Sequence, residues 1–207
     1  MTIAGAWATS GKIETISPRA RILAAAADLF HRQGIRAVGV EAIAEAAKTN
    51  KMTLYRHFLS KDELVAAYLR SIADQATASW DRLAADRPGD PLAQIRSWLR
   101  DKAEALTKSG ERGCPFANAA VEFPDKGHPA RRVIEDYKTA QRAHLARLAT
   151  AAKLSEPDVL ADELSLLLEG VHVTAQSLGT QGLGERLIRM GDAMIKVHGG
   201  VGSEARN

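Results

Sequence analysis

The sequence predicts an all-α fold in which a small N-terminal three-helix domain, built around a helix-turn-helix, precedes a larger C-terminal helical domain. Three observations predict it. Apolar residues recur at helical spacing almost everywhere, the alternation of an amphipathic strand is nowhere sustained, and Pro and Gly punctuate the periodic stretches. Hydrophobic residues at 45% and charged residues at 26% add the balance of a chain that folds around a core in water.

The elements follow in order. Residues 1–16 carry too little apolar content to pack and are expected to form a flexible arm. Ser17-Pro18 then supplies a cap and a first helical position, and Ile22, Leu23, Ala26, Leu29 and Phe30 mark one face of a helix that Gly34 stops. Val40, Ile43, Ala44 and Ala47 outline a short second helix. Asn50 is placed to cap a third, from about Lys51 to Phe58, and Ser60 to cap a long fourth that Arg87-Pro88-Gly89-Asp90 breaks. Further helices are expected at about 91–108, 115–122, 129–153 and 157–178, the last dense in leucine. Leu183, Leu187, Ile188, Met194 and Ile195 mark a final one. Residues 17–62 would form the small N-terminal domain, residues 63–200 the larger helical domain, and residues 201–207 a flexible tail.

Composition narrows the function. No run of about eighteen apolar residues exists to span a bilayer, and the opening MTIAGAWATSGKIETIS lacks the basic-then-apolar layout of a secretory signal, so the cytoplasm is the expected compartment. Cys114, the only cysteine, excludes an internal disulfide and a thiolate cage for zinc. The formal charge is +3, but residues 1–60 hold eight Lys/Arg against four acids, which leaves the remainder near neutral. A basic module joined to a near-neutral one suggests that the first faces a polyanion, unless its basic face is merely solvated.

The stretch Val40 to Phe58, VEAIAEAAKTNKMTLYRHF, reads as two short helices joined by a tight turn around Lys48-Thr49. A major groove about 12 Å wide admits one helix, and a second helix packed across it fixes the angle of entry. Thr49, Lys51, Met52 and Thr53, at the start of the probe, would lie nearest the base edges, with Asn50 and Arg56 beside them. Tyr55, His57 and Lys61 would reach phosphates; Lys48 belongs to the same face, and Arg19 and Arg21 either meet the backbone or are solvated.

These residues resemble the TetR/AcrR family of bacterial repressors. The resemblance rests on Ala24 to Gly34 (AAAADLFHRQG), Val40 to Ala47 (VEAIAEAA), Thr53-Leu54-Tyr55-Arg56-His57-Phe58 and Ser60-Lys61-Asp62-Glu63-Leu64, and it covers about residues 18–65. It implies a homodimer of chains with about nine helices each, the last two forming a four-helix bundle across a twofold axis. It further implies a palindromic operator in double-stranded DNA, a small-molecule effector held by the middle helices, and a fourth helix whose movement releases the operator. Three positions depart from the family pattern. Gly39 stands where a Ser or Thr cap is usual, Lys48 where Gly is usual, and Thr49 where a buried Val is usual; a left-handed backbone at Lys48 would cost about 1 kcal/mol.

Beyond residue 65 the informative signal is a polar side chain on an apolar stripe, because burying one without a partner costs on the order of 1–3 kcal/mol. Gln141 and His144 fall on the face that runs from Tyr137 to Leu148, and Glu169, His172 and Gln176 follow i, i+3, i+7 beside the leucines. They either line a pocket, bond across a dimer seam or sit satisfied in the core. Trp80, Trp98, Phe116, Phe123 and Tyr137 would supply apolar walls to an effector of apolar or aromatic character. Cys114, before Pro115 and near Arg112, is either a buried inert thiol beside the ligand or a thiolate at a helix N-terminus.

An enzyme is the rival from another class. His128, His144, His172 and His198 lack the close helical pairing of zinc proteases, and no Gly-rich phosphate loop follows a strand, so neither catalytic residue, metal nor cofactor is expected. A helical protein-interaction module is the other rival; a steep salt dependence of duplex binding separates it from a DNA reader.

Overall fold

The computed structural model describes residues 17–108 and 112–200, and among them the secondary structure is helical throughout. The arm expected over 1–16 and the tail over 201–207 lie outside the described residues. The helices are α1 (Pro18–Gln33), α2 (Val40–Ala46), α3 (Lys51–His57), α4 (Lys61–Asp86), α5 (Pro91–Lys108), α6 (Pro115–Glu122), α7 (Pro129–Ala151), α8 (Pro157–Leu178) and α9 (Leu183–Val197).

Their ends are set by the residues the sequence offers for the purpose. The Ser17 hydroxyl accepts from the Ala20 amide at 3.2 Å, and Pro18 occupies the first turn, where its missing N–H is not needed. Asn50 accepts from the Thr53 amide at 2.9 Å. Ser60 accepts from the Glu63 amide at 3.0 Å while the Glu63 carboxylate reaches back to the Leu59 amide at 2.7 Å, a reciprocal cap for α4. Asp90 caps α5 through the Ala93 amide. α7 stops at Ala151, two residues short of the expected end, because Lys153 turns left-handed.

The chain divides into two compact units, 1–73 with 115–135 and 74–114 with 136–207. The first is therefore not one continuous stretch: α6 and the start of α7 join the three N-terminal helices, and α4 runs out of it at residue 73. Its interior is built from Ile22, Ala26 and Phe30 of α1, Ile43 and Ala44 of α2, Leu54 and Phe58 around α3, and Leu64, Val65 and Leu69 of α4. Phe30 meets Tyr68 edge to face at 5.5 Å.

In the second unit α5 packs on α9, and α9 on α8. Leu83, Ile95, Leu99, Leu106, Leu145, Leu160, Leu164, Leu168, Leu187 and Ile195 form its continuous apolar core. Gly191 lets α9 approach α5 closely: a Cβ there would lie 2.6 Å from Leu99 Cδ1. Buried His198 ties the end of α9 to the loop before α8, its Nδ1 lying 2.7 Å from the Ser155 carbonyl and its Nε2 3.2 Å from Glu163. No helix among the described residues is long and apolar enough to cross a membrane.

Candidate nucleic-acid interface and ligand site

The first unit presents α3 on its surface. Leu54 is fully buried and Phe58 nearly so, which anchors one side of the helix, while the opposite side stays open: Met52 is 84% exposed, Tyr55 39%, and Lys51 and Arg56 are exposed. The outer face of α3 is thus not covered by its own unit. Thr53 is half-buried and its amide is spent on the Asn50 cap, so Asn50 is a structural cap that remains exposed at the tip of the helix.

The turn before α3 takes the form that Lys48 makes costly. Lys48 has φ +51, its amide donates to the Glu45 carbonyl and the Thr49 amide to the Ala44 carbonyl, each at 2.9 Å. That pair of bonds is the Schellman closure of α2, normally given to Gly at the left-handed position. Thr49 is half-buried. Gly39 begins α2 in extended conformation with no side-chain cap. The Arg21 Nε donates to the Ala47 carbonyl at 3.3 Å, which ties exposed Arg21 of α1 to this turn.

The basic residues around α3 differ in their freedom. The Lys51 ammonium pairs with the Glu41 carboxylate at 2.6 Å; this hydrogen bond raises the lysine pKa and lowers that of the glutamate. The Arg19 guanidinium lies 4.8 Å above the Phe58 ring. Lys61 is half-buried, donates to the Arg36 carbonyl at 3.5 Å and has its pKa lowered by burial. His57, expected to reach phosphate, is half-buried with Nε2 enclosed and unpartnered, so that nitrogen does not face outward. Exposed Lys48 completes the face. Leu59, 86% exposed beside α3, was not anticipated.

The same unit contains a long-range clamp. Glu122, at the end of α6, accepts from the Ile35 amide at 3.0 Å and from the Arg36 amide at 2.6 Å. It holds the segment that leads from α1 into α2. Phe123, expected as a pocket wall, instead stacks on His128 at 4.0 Å, with the Arg36 guanidinium 6.0 Å from its ring; Phe116 is buried in α6. Both belong to the first unit.

In the second unit the remaining expected ligand residues gather in two groups. Trp98, almost completely buried, stacks on Trp80 at 5.7 Å and 9°, and Trp80 contacts the His144 ring at 4.3 Å. Burial, and next the Arg147 guanidinium, lowers the His144 pKa. The second group is polar. Sγ of Cys114, a carboxylate oxygen of Glu169 and a ring nitrogen of His172 lie within 4.8 Å of one another. The Lys138 ammonium bonds Glu169 and approaches Cys114 Sγ to 3.6 Å. Three such donors could hold a metal ion, but the ammonium already occupies the cation's place between two of them. The Tyr137 hydroxyl donates to buried Gln141 at 2.7 Å, and burial raises its pKa.

Within that group, burial pushes the His172 imidazole down to about 4, and its Nδ1 is enclosed without a partner. Gln176 stands apart as a clamp: it is exposed and donates to the Arg112 carbonyl at 2.6 Å, lying where a Cβ on Gly113 would fall. Lys102 and Lys138 went unread in the sequence. Lys102 nevertheless falls on the α5 stripe of Ile95, Leu99 and Leu106, the same signal that singled out Glu169 and His172.

Known proteins share this fold. Residues 22–68 match the family model described as bacterial regulatory proteins, tetR family, and residues 91–190 match the tetracyclin repressor-like C-terminal domain. The HTH-type transcriptional repressor Rv3405c of Mycobacterium tuberculosis is 39% identical over 127 residues, 61% of this chain and 64% of that protein. The crystal structure of SCO4454, a TetR-family transcriptional regulator from Streptomyces coelicolor, aligns with TM-score 0.81 at 26% identity over 87% of this chain and 95% of that one. That of sav143, a TetR-type transcriptional regulator from Streptomyces avermitilis, aligns with TM-score 0.78 at 30% identity over 89% and 100%.

Proposed function

The chain belongs to the TetR family of bacterial transcriptional regulators, which are not enzymes, and we propose that it is a repressor that binds a palindromic operator as a homodimer and is released by a small apolar or aromatic effector. The observation that carries the reading is the open outer face of α3, Lys51 to Arg56, on a helix whose inner face is fixed by Leu54 and Phe58. Residues 17–62 act as the head, and residues 63–200 sense the effector and join two chains. The site of action is the cytoplasm, where the operator is.

In the head, Thr49, Lys51, Met52 and Thr53 read base edges, Met52 through apolar contact with a thymine methyl, and Arg19, Lys48, Tyr55, Arg56 and Lys61 bind phosphates. Dimerisation is supported by an unpartnered stripe on α8. Val159, Leu166 and Val173 recur every seven residues and are 45%, 72% and 57% exposed, and Met190 and Val197 repeat the spacing on α9. Packing two such faces about a twofold axis removes both from water and sets the half-site spacing.

Selection of bound duplexes from a random pool tests the whole reading. The expected product is a palindrome; Tyr55→Ala weakens binding to every duplex, whereas Lys51→Ala relaxes preference at one position in each half-site. A pool that stays random, or yields unrepeated single half-sites, overturns it.

A further inference from the structure

Resting on the reading of the second unit as an effector domain, we propose that the effector is an organic monoanion, a carboxylate on an apolar or aromatic body, and that its charged end seats on Lys102. Lys138, Glu169 and His172 gather around Cys114, and the Lys102 ammonium of α5 acts electrostatically on Lys138 and His172. Lys138 and Glu169 form an ion pair and cancel. His172 is held neutral by burial. Among the described residues Lys102 forms no ion pair with a carboxylate; it is half-buried on α5, with the Trp98 ring 5.9 Å from its Nζ. Burial, with the Lys138 ammonium acting in the same direction, pulls its pKa down.

The same group holds a second polar atom without a partner, the enclosed Nδ1 of His172. A carboxylate satisfies both deficits, one oxygen accepting from the Lys102 ammonium and the other from an Nδ1–H of neutral His172. The charge balance chooses the class. With Lys138 and Glu169 cancelled and His172 neutral, the cluster carries one net positive charge, which a monoanion completes; a phosphate dianion would leave a surplus charge, and a metal cation would add to the existing one. The body of the ligand follows from the neighbours, since Trp98 and Trp80 form a stacked apolar wall beside the ammonium.

The test uses the full chain, with benzoate, indole-3-acetate and hexanoate as probes, each paired with its primary amide. Binding is read from tryptophan fluorescence and thermal shift, and operator occupancy is measured in parallel. At least one acid is expected to bind about tenfold or more tightly than its amide, and Lys102→Met to abolish that preference. Without any ligand, Lys102→Met is expected to melt higher than the parent chain, because it removes an uncompensated cation. Lys102→Gln serves in its place if the methionine variant does not fold. Acids that bind no better than their amides, acid binding that survives both substitutions, or a lowered melting temperature would each overturn the proposal. Amides that release the operator while acids do not would leave the effector reading standing without this one. Acids that bind through Lys102 yet leave the operator occupied would do the reverse.

Discussion

Replacing Glu122 by alanine removes an acceptor shared by two backbone donors 87 and 86 residues away in sequence. The Ile35 amide is part-buried, beside a side chain only 3% exposed, and water does not readily replace the lost carboxylate. The Arg36 amide is exposed and rehydrates. The cost is therefore dominated by one stranded buried donor, about 2 kcal/mol. For a chain of this size that lowers the melting temperature by roughly 4–8 °C. The effect should reach DNA as well, because Gly39 gives α2 no side-chain cap and Glu122 is the group that fixes the preceding segment. Glu122→Gln keeps one carbonyl acceptor and should recover about half the loss. Thermal melts at fixed protein concentration, with operator titration by fluorescence anisotropy, measure both. An alanine variant that melts within a degree of the parent and binds operator equally well would refute the clamp.

Two further outcomes are expected. Lys48→Gly relieves a left-handed residue and should stabilise the head by up to about 1 kcal/mol in urea unfolding, while removing an exposed charge proposed to bind phosphate and so weakening operator binding; a loss of stability would mean the Schellman turn is not the native one. His172 titrates near 4 in the fold and near 6.5 when unfolded, so the unfolded chain takes up a proton first. Stability is full above about pH 6.5 and falls as pH drops towards 4, by about 2 kcal/mol between pH 7 and pH 5. His172→Gln should flatten that slope in pH-dependent denaturation, and an unchanged slope would assign it to other groups.

Much of the fold was legible because its boundaries are written locally. Ser17-Pro18, Asn50, Ser60, Pro91, Pro115, Pro129 and Pro157 each act within one turn of the helix they start, and a pattern read residue by residue finds them. The probe helix was legible for the same reason, Leu54 and Phe58 pointing inward at i, i+4 and leaving Met52 and Tyr55 outside. What escaped depends on distance along the chain. Nothing near Glu122 announces that it holds Ile35, and nothing near Gln176 announces the Arg112 carbonyl that takes it out of the polar cluster. For Phe116 and Phe123 aromaticity was the only signal, and nothing local announces that the chain returns them to the first unit. Lys102 was passed over because a lysine on a helix is ordinarily solvated; only the packing around α5 shows that this one is half-buried.

The pairing of Lys51 with Glu41 bears on how the head would discriminate between sequences. A lysine that faces a mismatched base with no other partner is a desolvated, unpaired charge, and that penalty is a large part of what rejects the wrong site. Here the carboxylate of Glu41 stands 2.6 Å away on the neighbouring helix, both groups exposed. On a mismatched site Lys51 can stay with Glu41, so the wrong base forfeits a contact without stranding the charge. On the right site the base must outcompete an existing partner, and the released Glu41 must find water beside a polyanion. Both effects shrink the preference Lys51 confers. On the proposed reading, discrimination then shifts towards residues with no such retreat, Met52 above all, whose side chain is 84% exposed to solvent and gains by leaving it only where an apolar methyl awaits. A head with this arrangement should read thymine through Met52 more sharply than any base through Lys51, and Glu41→Gln should sharpen the lysine position while leaving the thymine position unchanged.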